Sequence, residues 1–179
     1  MRLFIALSLP DALATQLIAS MGGVAGARWQ NAAQLHLTLA FLGEVDAASL
    51  PDLDAGLSAI AMPPIALSAK GIGHFASKGR PHALWAGAEP AEQLAQLAAK
   101  VRRAVQMAGV RVDGHDFIPH ITLARLPRSA GPIDDFLGAQ ARLATSAYAI
   151  DHFGLFDSHL SADGAQYRCI REYGRQSNL

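Results

Sequence analysis

The feature that most limits what this chain can become is a short pattern written twice. His36-Leu37-Thr38-Leu39 and His120-Ile121-Thr122-Leu123 share the order His, apolar, Thr, Leu, and they stand 84 positions apart (120 minus 36) in a chain of 179 residues. Each sits in an apolar run, Leu35 to Leu42 and Phe117 to Leu126, that reads as a strand. Alternate residues of a strand share a face, so each His projects with its Thr, roughly 6–7 Å away, while the intervening apolar residue and the following Leu turn into a core. Two copies spaced by nearly half the chain are too few for a solenoid and imply two similar lobes about an approximate twofold axis. Strands packed around that axis would present two imidazoles and two hydroxyls to one cleft.

The remaining elements are predicted from periodicity and breakers. Met1 to Ser8 reads as a buried strand, with Ser8, Pro10 and Asp11 as a capping pattern for a helix carrying Leu13, Leu17 and Met21 and ending at Gly22-Gly23. Leu50, Leu53, Leu57 and Ile60 recur at helical spacing near Pro51. Ile65 to Lys70 and Ala83 to Ala88 read as strands around a loop at 71–82. Leu94, Leu97, Val101 and Val105 mark the strongest helix, closed by Gly109. In the second half, Pro132 to Leu143 is expected to be helical, with Ile133, Phe136 and Leu137 inward. Tyr148 to Phe156 and Ala165 to Glu172 are expected as a strand pair around the turn Ser161-Ala162-Asp163-Gly164. Strand, helix and hairpin thus occur twice, an α+β pattern in a single bilobal domain over 1–179.

Composition removes several function classes. Lys plus Arg is 15 and Asp plus Glu is 15, so a protein that coats long nucleic acid through a dense cationic surface is disfavoured, whereas a short or terminal nucleic-acid substrate is not. With 51% hydrophobic and 17% charged residues the chain is not disordered. The apolar run Leu3 to Leu9 stops at Pro10-Asp11, too short for a membrane span and without the second basic residue of a secretory signal. Cys169 is the one cysteine, which forbids an internal disulfide and fits a cytoplasmic location. No obligate protein partner is indicated, and a monomer is expected.

A lone strand histidine is usually structural or at the surface, but a repeated pair has a chemical use. Two imidazoles with ordinary titration near pH 6.5 can hold one as base and the other as acid at neutrality, as in-line displacement at a phosphate ester requires. The threonine hydroxyls, Thr38 and Thr122, can donate to non-bridging phosphate oxygens. No metal is expected: neither motif adds a second His or a carboxylate at ligand spacing, and Cys169 is alone. Gly71-Ile72-Gly73-His74-Phe75 lacks the Gly-Lys-Ser/Thr ending of a phosphate-binding loop, so no cofactor is expected and ATP-driven ligation has no support.

These residues resemble the two-histidine (2H) phosphoesterase superfamily, in particular its bacterial RNA 2′,3′-cyclic phosphodiesterase branch, also called 2′-5′ RNA ligase or LigT-like proteins. The resemblance takes in Arg2-Leu3-Phe4, Leu35 to Glu44, Gly73 to Phe75 before Leu84-Trp85-Ala86-Gly87, Pro119 to Arg125, and Phe156-Asp157-Ser158 ahead of Gly164 and Tyr167. It implies two antiparallel sheets with outer helices around a central cleft. It also implies that His120 acts as base on water, His36 protonates the departing 3′ oxygen, and Thr38, Thr122 and Arg125 hold the phosphoryl oxygens. RNA 3′ ends or nucleoside 2′,3′-cyclic phosphates would be the substrates. Phe4 is a weak candidate base-stacking platform, facing away from Leu3 and Ile5. Many relatives carry Arg where this chain has His82, and Arg80 is a nearby substitute. His74, His82, His115, His152 and His159 are assigned no catalysis. Two rival readings stand beside this one, a non-catalytic RNA-end binding module and a phosphodiesterase acting on a non-RNA cyclic phosphate.

Overall fold

Leu3, Ile5 and Leu7 alternate with Phe4 and Ala6, and all five are buried, so the first strand is covered on both faces and must lie inside its sheet. A computed structural model describes residues 1–161 and 164–174. Its elements run β1 (Arg2–Ser8), α1 (Asp11–Ala19), β2 (Arg28–Trp29), β3 (His36–Glu44), α2 (Leu50–Ser58), β4 (Ile65–Ser77), β5 (Arg80–Glu89), α3 (Ala91–Met107), β6 (His120–Arg125), α4 (Asp134–Ala139), β7 (Tyr148–Ile150), β8 (Phe153–Ser161) and β9 (Gly164–Tyr173). One sheet has the order β3-β1-β8-β9 and the other β2-β6-β5-β4-β7. Every strand pairing in them is antiparallel. The expected α+β, two-lobed architecture is therefore present.

Helices cover the face of each sheet that carries Leu37, Leu39, Ile121 and Leu123. The stripe Leu94, Leu97, Ala98, Val101 and Val105 makes α3 strongly amphipathic, and each of its Leu and Val side chains contributes about 1.5–3 kcal/mol on burial. Gly109, at φ 72°, ends it: the Val110 N–H bonds the Val105 carbonyl at 3.1 Å and the Gly109 N–H bonds that of Gln106 at 3.0 Å, a Schellman closure. A continuous apolar cluster joins residues of both sheets, among them Ile5, Leu37, Leu84 and Ile121, with those of α1, α2 and α3. No helix among the described residues is long and apolar enough to cross a membrane.

Several expectations need correction. Ser8 does not cap α1, because it stays in the ladder opposite His36; Pro10 holds the cap position and no side chain caps the helix. The segment 71–82 is not a loop. β4 and β5 continue through it to a two-residue turn in which Lys78 (φ 51°) and Gly79 (φ 75°) are both left-handed, the type I′ geometry whose twist matches a hairpin. Its glycines serve the sheet: Gly71 lies in a register shift, and a Cβ at Gly73 would overlap the Trp85 ring. The helix expected over 132–143 is confined to Asp134–Ala139, and the strand expected from Phe117 begins at His120, after Pro119. The strand expected over 148–156 breaks at Asp151-His152, because Tyr148–Ile150 pairs with β4 in one sheet while Gly154 onward pairs with β1 in the other. Ala162 and Asp163 of the expected turn lie outside the described residues.

The repeat also has different limits from those expected. Ser8 stands opposite His36 as Gly87 stands opposite His120, so β5 is the counterpart of β1 and opens the second unit. Apart from the short β2 and β7 and the final β9, each unit runs strand, helix, strand, helix, strand, and the last of these strands, β4 or β8, lies in the other unit's sheet.

Candidate active site

His36 opens β3 and His120 opens β6, the two strands that face each other where the sheets meet. The same backbone contact holds each ring. His36 Nδ1 lies 2.7 Å from the Gln34 carbonyl oxygen, and His120 Nδ1 lies 2.6 Å from that of Ile118. A carbonyl can only accept, so each Nδ1 carries the proton and donates it two residues back along its own chain. In the neutral ring that leaves Nε2 with the lone pair, oriented by the backbone rather than by a carboxylate.

Aromatic rings fix the planes of both imidazoles. Phe4 lies 4.9 Å and Tyr167 5.0 Å from His36, the latter edge-on, and Phe4 stacks on Phe156 at 5.2 Å. Around His120, Phe75 is edge-on at 4.8 Å and Trp85 is tilted at 6.0 Å, with His82 stacked on Phe75 at 6.4 Å. Trp85 contributes its ring only, since its buried Nε1–H has no acceptor among the described residues. Phe4 is 3% exposed and lies outside the helix-covered core. It forms the floor of a cavity of about 200 Å³ walled also by Ser8, Leu35, His36, Phe156 and Tyr167.

Burial sets the protonation of the pair. Desolvation drives the His36 pKa down to about 4, with Arg125 and His120 pushing the same way and the Gln34 carbonyl opposing. His120 is lowered too, first by burial and then by Arg125, against the Ile118 carbonyl. The ordinary value near 6.5 expected from sequence is thus not what this cleft gives, and both rings are neutral in the free site at pH 7. The same interactions place His120 within electrostatic reach of His36, and Arg125 within reach of both histidines and of Tyr167, whose hydroxyl is raised by burial.

Thr38 and Thr122 are partly exposed, each two residues after its histidine and on the same strand face. They are not equivalent across the sheet, where Ala6 stands opposite Thr38 and Trp85 opposite Thr122. Arg125 closes β6 and is exposed. Neither hydroxyl nor this guanidinium has a hydrogen-bonding partner within the protein among the described residues, so all three are available to an anion. The structure therefore brings His36, His120, Thr38, Thr122, Arg125 and Phe4 to one seam. Phe75, Trp85, Phe156 and Tyr167 were given no role from sequence. Their aromatic type was visible, but their placement depends on pairings between distant strands.

Apart from His82, which stacks on Phe75, the other histidines are held elsewhere. His159 Nε2 is 2.7 Å from the buried Asp157 carboxylate, His152 Nδ1 is 2.8 Å from Asp151, and His115 Nε2 is 3.5 Å from Asp113. His74 and Arg80 line a larger cavity, about 360 Å³, with Leu126, Arg128, Ile133 and Asp134. None of the six expected site residues touches it, so size does not locate the chemistry here, and Arg80 is not a wall of the His36 cavity. Among the described residues no group of three or more His, Cys, Asp or Glu is placed to hold a metal.

Known proteins resemble this chain over nearly its whole length. The RNA 2′,3′-cyclic phosphodiesterase of Archaeoglobus fulgidus is 29% identical over 97% of this chain and 99% of its own length. The Thermus thermophilus protein of the same name is 33% identical over 97% of this chain and 89% of its own. LigT of Escherichia coli, solved in complex with NADP+, superposes with a TM-score of 0.75 at 29% identity, covering 96% of this chain and 95% of that one. The family model of the 2′-5′ RNA ligase superfamily matches residues 9–161, a span that includes both His-x-Thr strands and Arg125, and the chain belongs to that superfamily.

Proposed function

We propose that this chain is an RNA 2′,3′-cyclic phosphodiesterase that hydrolyses a cyclic phosphate end to a 2′-phosphomonoester through its two histidines, with no metal. The observation that carries the reading is the twin arrangement at His36 and His120, each Nδ1 held by the carbonyl two residues back and each Nε2 left with its lone pair, with Arg125 in reach of both. The curated relatives' name supports the activity in general. Water attacks phosphorus, one imidazole takes its proton, the P–O3′ bond breaks, and the other imidazole protonates O3′. Thr38, Thr122 and Arg125 donate to the non-bridging oxygens as charge develops on them. Run backwards with a 5′-hydroxyl in place of water, the same steps join RNA ends by a 2′-5′ linkage. The two sheets act as one catalytic unit in a monomeric, cytoplasmic protein.

The resemblance makes His120 the base and His36 the acid. The stronger depression at His36 favours the reverse order in the free cleft, because the less basic ring is the harder one to keep protonated. A diester with a nitrophenolate leaving group needs no acid, so the His→Ala variant that keeps turnover on it marks the acid position.

The function itself is tested with purified protein, a mononucleoside 2′,3′-cyclic phosphate and excess chelator, the product being compared by chromatography with authentic 2′ and 3′ monophosphates. The expected outcome is a 2′-phosphate formed at an undiminished rate. No turnover on any cyclic phosphate would leave the RNA-end binding module as the reading. Loss of turnover in chelator with recovery in zinc would sink the metal-free mechanism, and a 3′-phosphate product would overturn the assignment of O3′ as the leaving oxygen.

A further inference from the structure

β2 is only two residues long, yet its position is built. Arg28 stands in register with Arg125 and Trp29 with Ala124, the Gln30 N–H bonds the Leu123 carbonyl at 2.8 Å, and the Trp29 ring packs on Phe136 at 5.2 Å. Residues directly opposite on paired strands project to the same face with Cβ atoms roughly 4.5–5.5 Å apart, and like charges so placed destabilise the pair. Arg28 and Arg125 are both exposed, and among the described residues neither has a carboxylate partner. No excess of cations forces the arrangement, because the chain carries as many acidic as basic residues. Nor does the other lobe repeat it: the position 84 residues before Arg125 is Phe41, 49% exposed. Two adjacent unneutralised guanidiniums, of which Arg125 is within electrostatic reach of both histidines, form a site for an anion, and their planar forks suit phosphate oxygens.

We propose that Arg28, in register beside Arg125, binds the phosphodiester immediately upstream of the terminal cyclic phosphate, so that the preferred substrate is the end of an RNA chain rather than a free nucleoside 2′,3′-cyclic phosphate. This rests on the cyclic-phosphodiesterase reading above. The cyclic phosphate itself is already served by Thr38, Thr122 and Arg125. A mononucleotide offers no second phosphate for Arg28, and a dinucleotide ending in a cyclic phosphate offers one.

The experiment compares kcat/KM for three substrates: a mononucleoside 2′,3′-cyclic phosphate, a dinucleotide with the same terminus, and that dinucleotide with a neutral methylphosphonate linkage. The wild-type protein should prefer the charged dinucleotide by tenfold or more, and the methylphosphonate should fall close to the mononucleotide. These arms need no variant, so a folding defect cannot obscure them. Arg28→Gln should lower kcat/KM on the charged dinucleotide about tenfold, mainly through KM, against at most two- to threefold on the mononucleotide, with no further loss on the methylphosphonate. Arg28→Lys should recover part of the difference. The slope of log kcat/KM against log salt on the charged dinucleotide should become shallower by about 0.7 in Arg28→Gln, the change for one lost phosphate contact to a single strand. Equal wild-type rates on charged and neutral dinucleotides, or equal losses on all three substrates in Arg28→Gln, would overturn the inference while leaving the cyclic-phosphodiesterase reading in place. Absence of wild-type turnover on every substrate would remove that reading and the inference with it.

Discussion

Moving the solution pH across the depressed histidine titrations should place the activity of the free enzyme on the acid side of neutrality. With His36 at about 4, pH 7 lies three pH units higher (7 minus 4), so only about one molecule in 10³ carries a proton on that ring, and adding one costs about 4 kcal/mol at 1.36 kcal/mol per unit. The proposed mechanism needs one ring neutral and the other protonated. The profile of kcat/KM reports the free enzyme's two titrations whichever ring is the acid. Its acid limb should therefore fall near pH 4 and its basic limb below the ordinary 6.5, with kcat/KM dropping tenfold per unit beyond that limb. Bound substrate adds negative charge between the rings and raises both titrations, so the kcat profile should lie at higher pH than the kcat/KM profile. Arg125→Gln should move both limbs upward, because Arg125 lowers both rings, without restoring the ordinary value, because burial is the larger cause at each. The assay is initial rates from pH 4 to 9 on a mononucleoside 2′,3′-cyclic phosphate with chelator present. A kcat/KM plateau extending from pH 6.5 to 8 would refute the argument that desolvation sets the protonation of this cleft.

His36→Ala and His120→Ala should each lower kcat by roughly 10²-fold or more with unchanged circular dichroism, and full activity in both would remove the pair from the mechanism. Gly73→Ala forces the Trp85 ring off its seat and should destabilise the fold by about 1–3 kcal/mol, read as a lower denaturant midpoint, together with a loss of activity through His120; an unchanged midpoint would contradict the close packing. His36 also makes the fold acid-sensitive. An unfolded His binds a proton near 6.5 and the folded one only near 4, so this stability is complete above 6.5 and is lost as pH falls to 4, by about 3 kcal/mol over those 2.5 units (6.5 minus 4). His36→Gln should lose that much less than the wild type in urea titrations at pH 7 and pH 4, and equal losses would show that His36 is not buried at this cost.

What was legible from sequence is what a strand's own geometry decides. His36 and Thr38 share a face because they are two apart, Leu37 and Leu39 are core for the same reason, and the α3 stripe is equally local. The repeat was legible as a spacing but not as a boundary, because nothing in β5 says that it neighbours β6 and stands where β1 stands beside β3. Gly71 and Gly73 imitate a loop, and only the Trp85 ring lying across the strand explains the second. The lowered imidazoles escaped for a related reason. They are covered by Phe4, Phe75, Trp85 and Tyr167, which come from four different strands, so their desolvation is a property of the pairing and not of the motif.

The exchange of β4 and β8 gives the chain the logic of a strand-swapped dimer joined by a linker at Lys78-Gly79. One unit alone has β1 paired to β3 on one side only, while its own β4 has left for the opposite sheet. Each half therefore lacks a strand that the other supplies, and each carries one histidine of the proposed pair. Nicking the chain between residues 78 and 79 should yield two inactive pieces that regain the cleft only on mixing. Two like units trading strands in this way would form a symmetric homodimer with identical histidines. Covalent fusion is the step that releases such a pair from symmetry, and here it permits Phe41 on one side where Arg125 stands on the other.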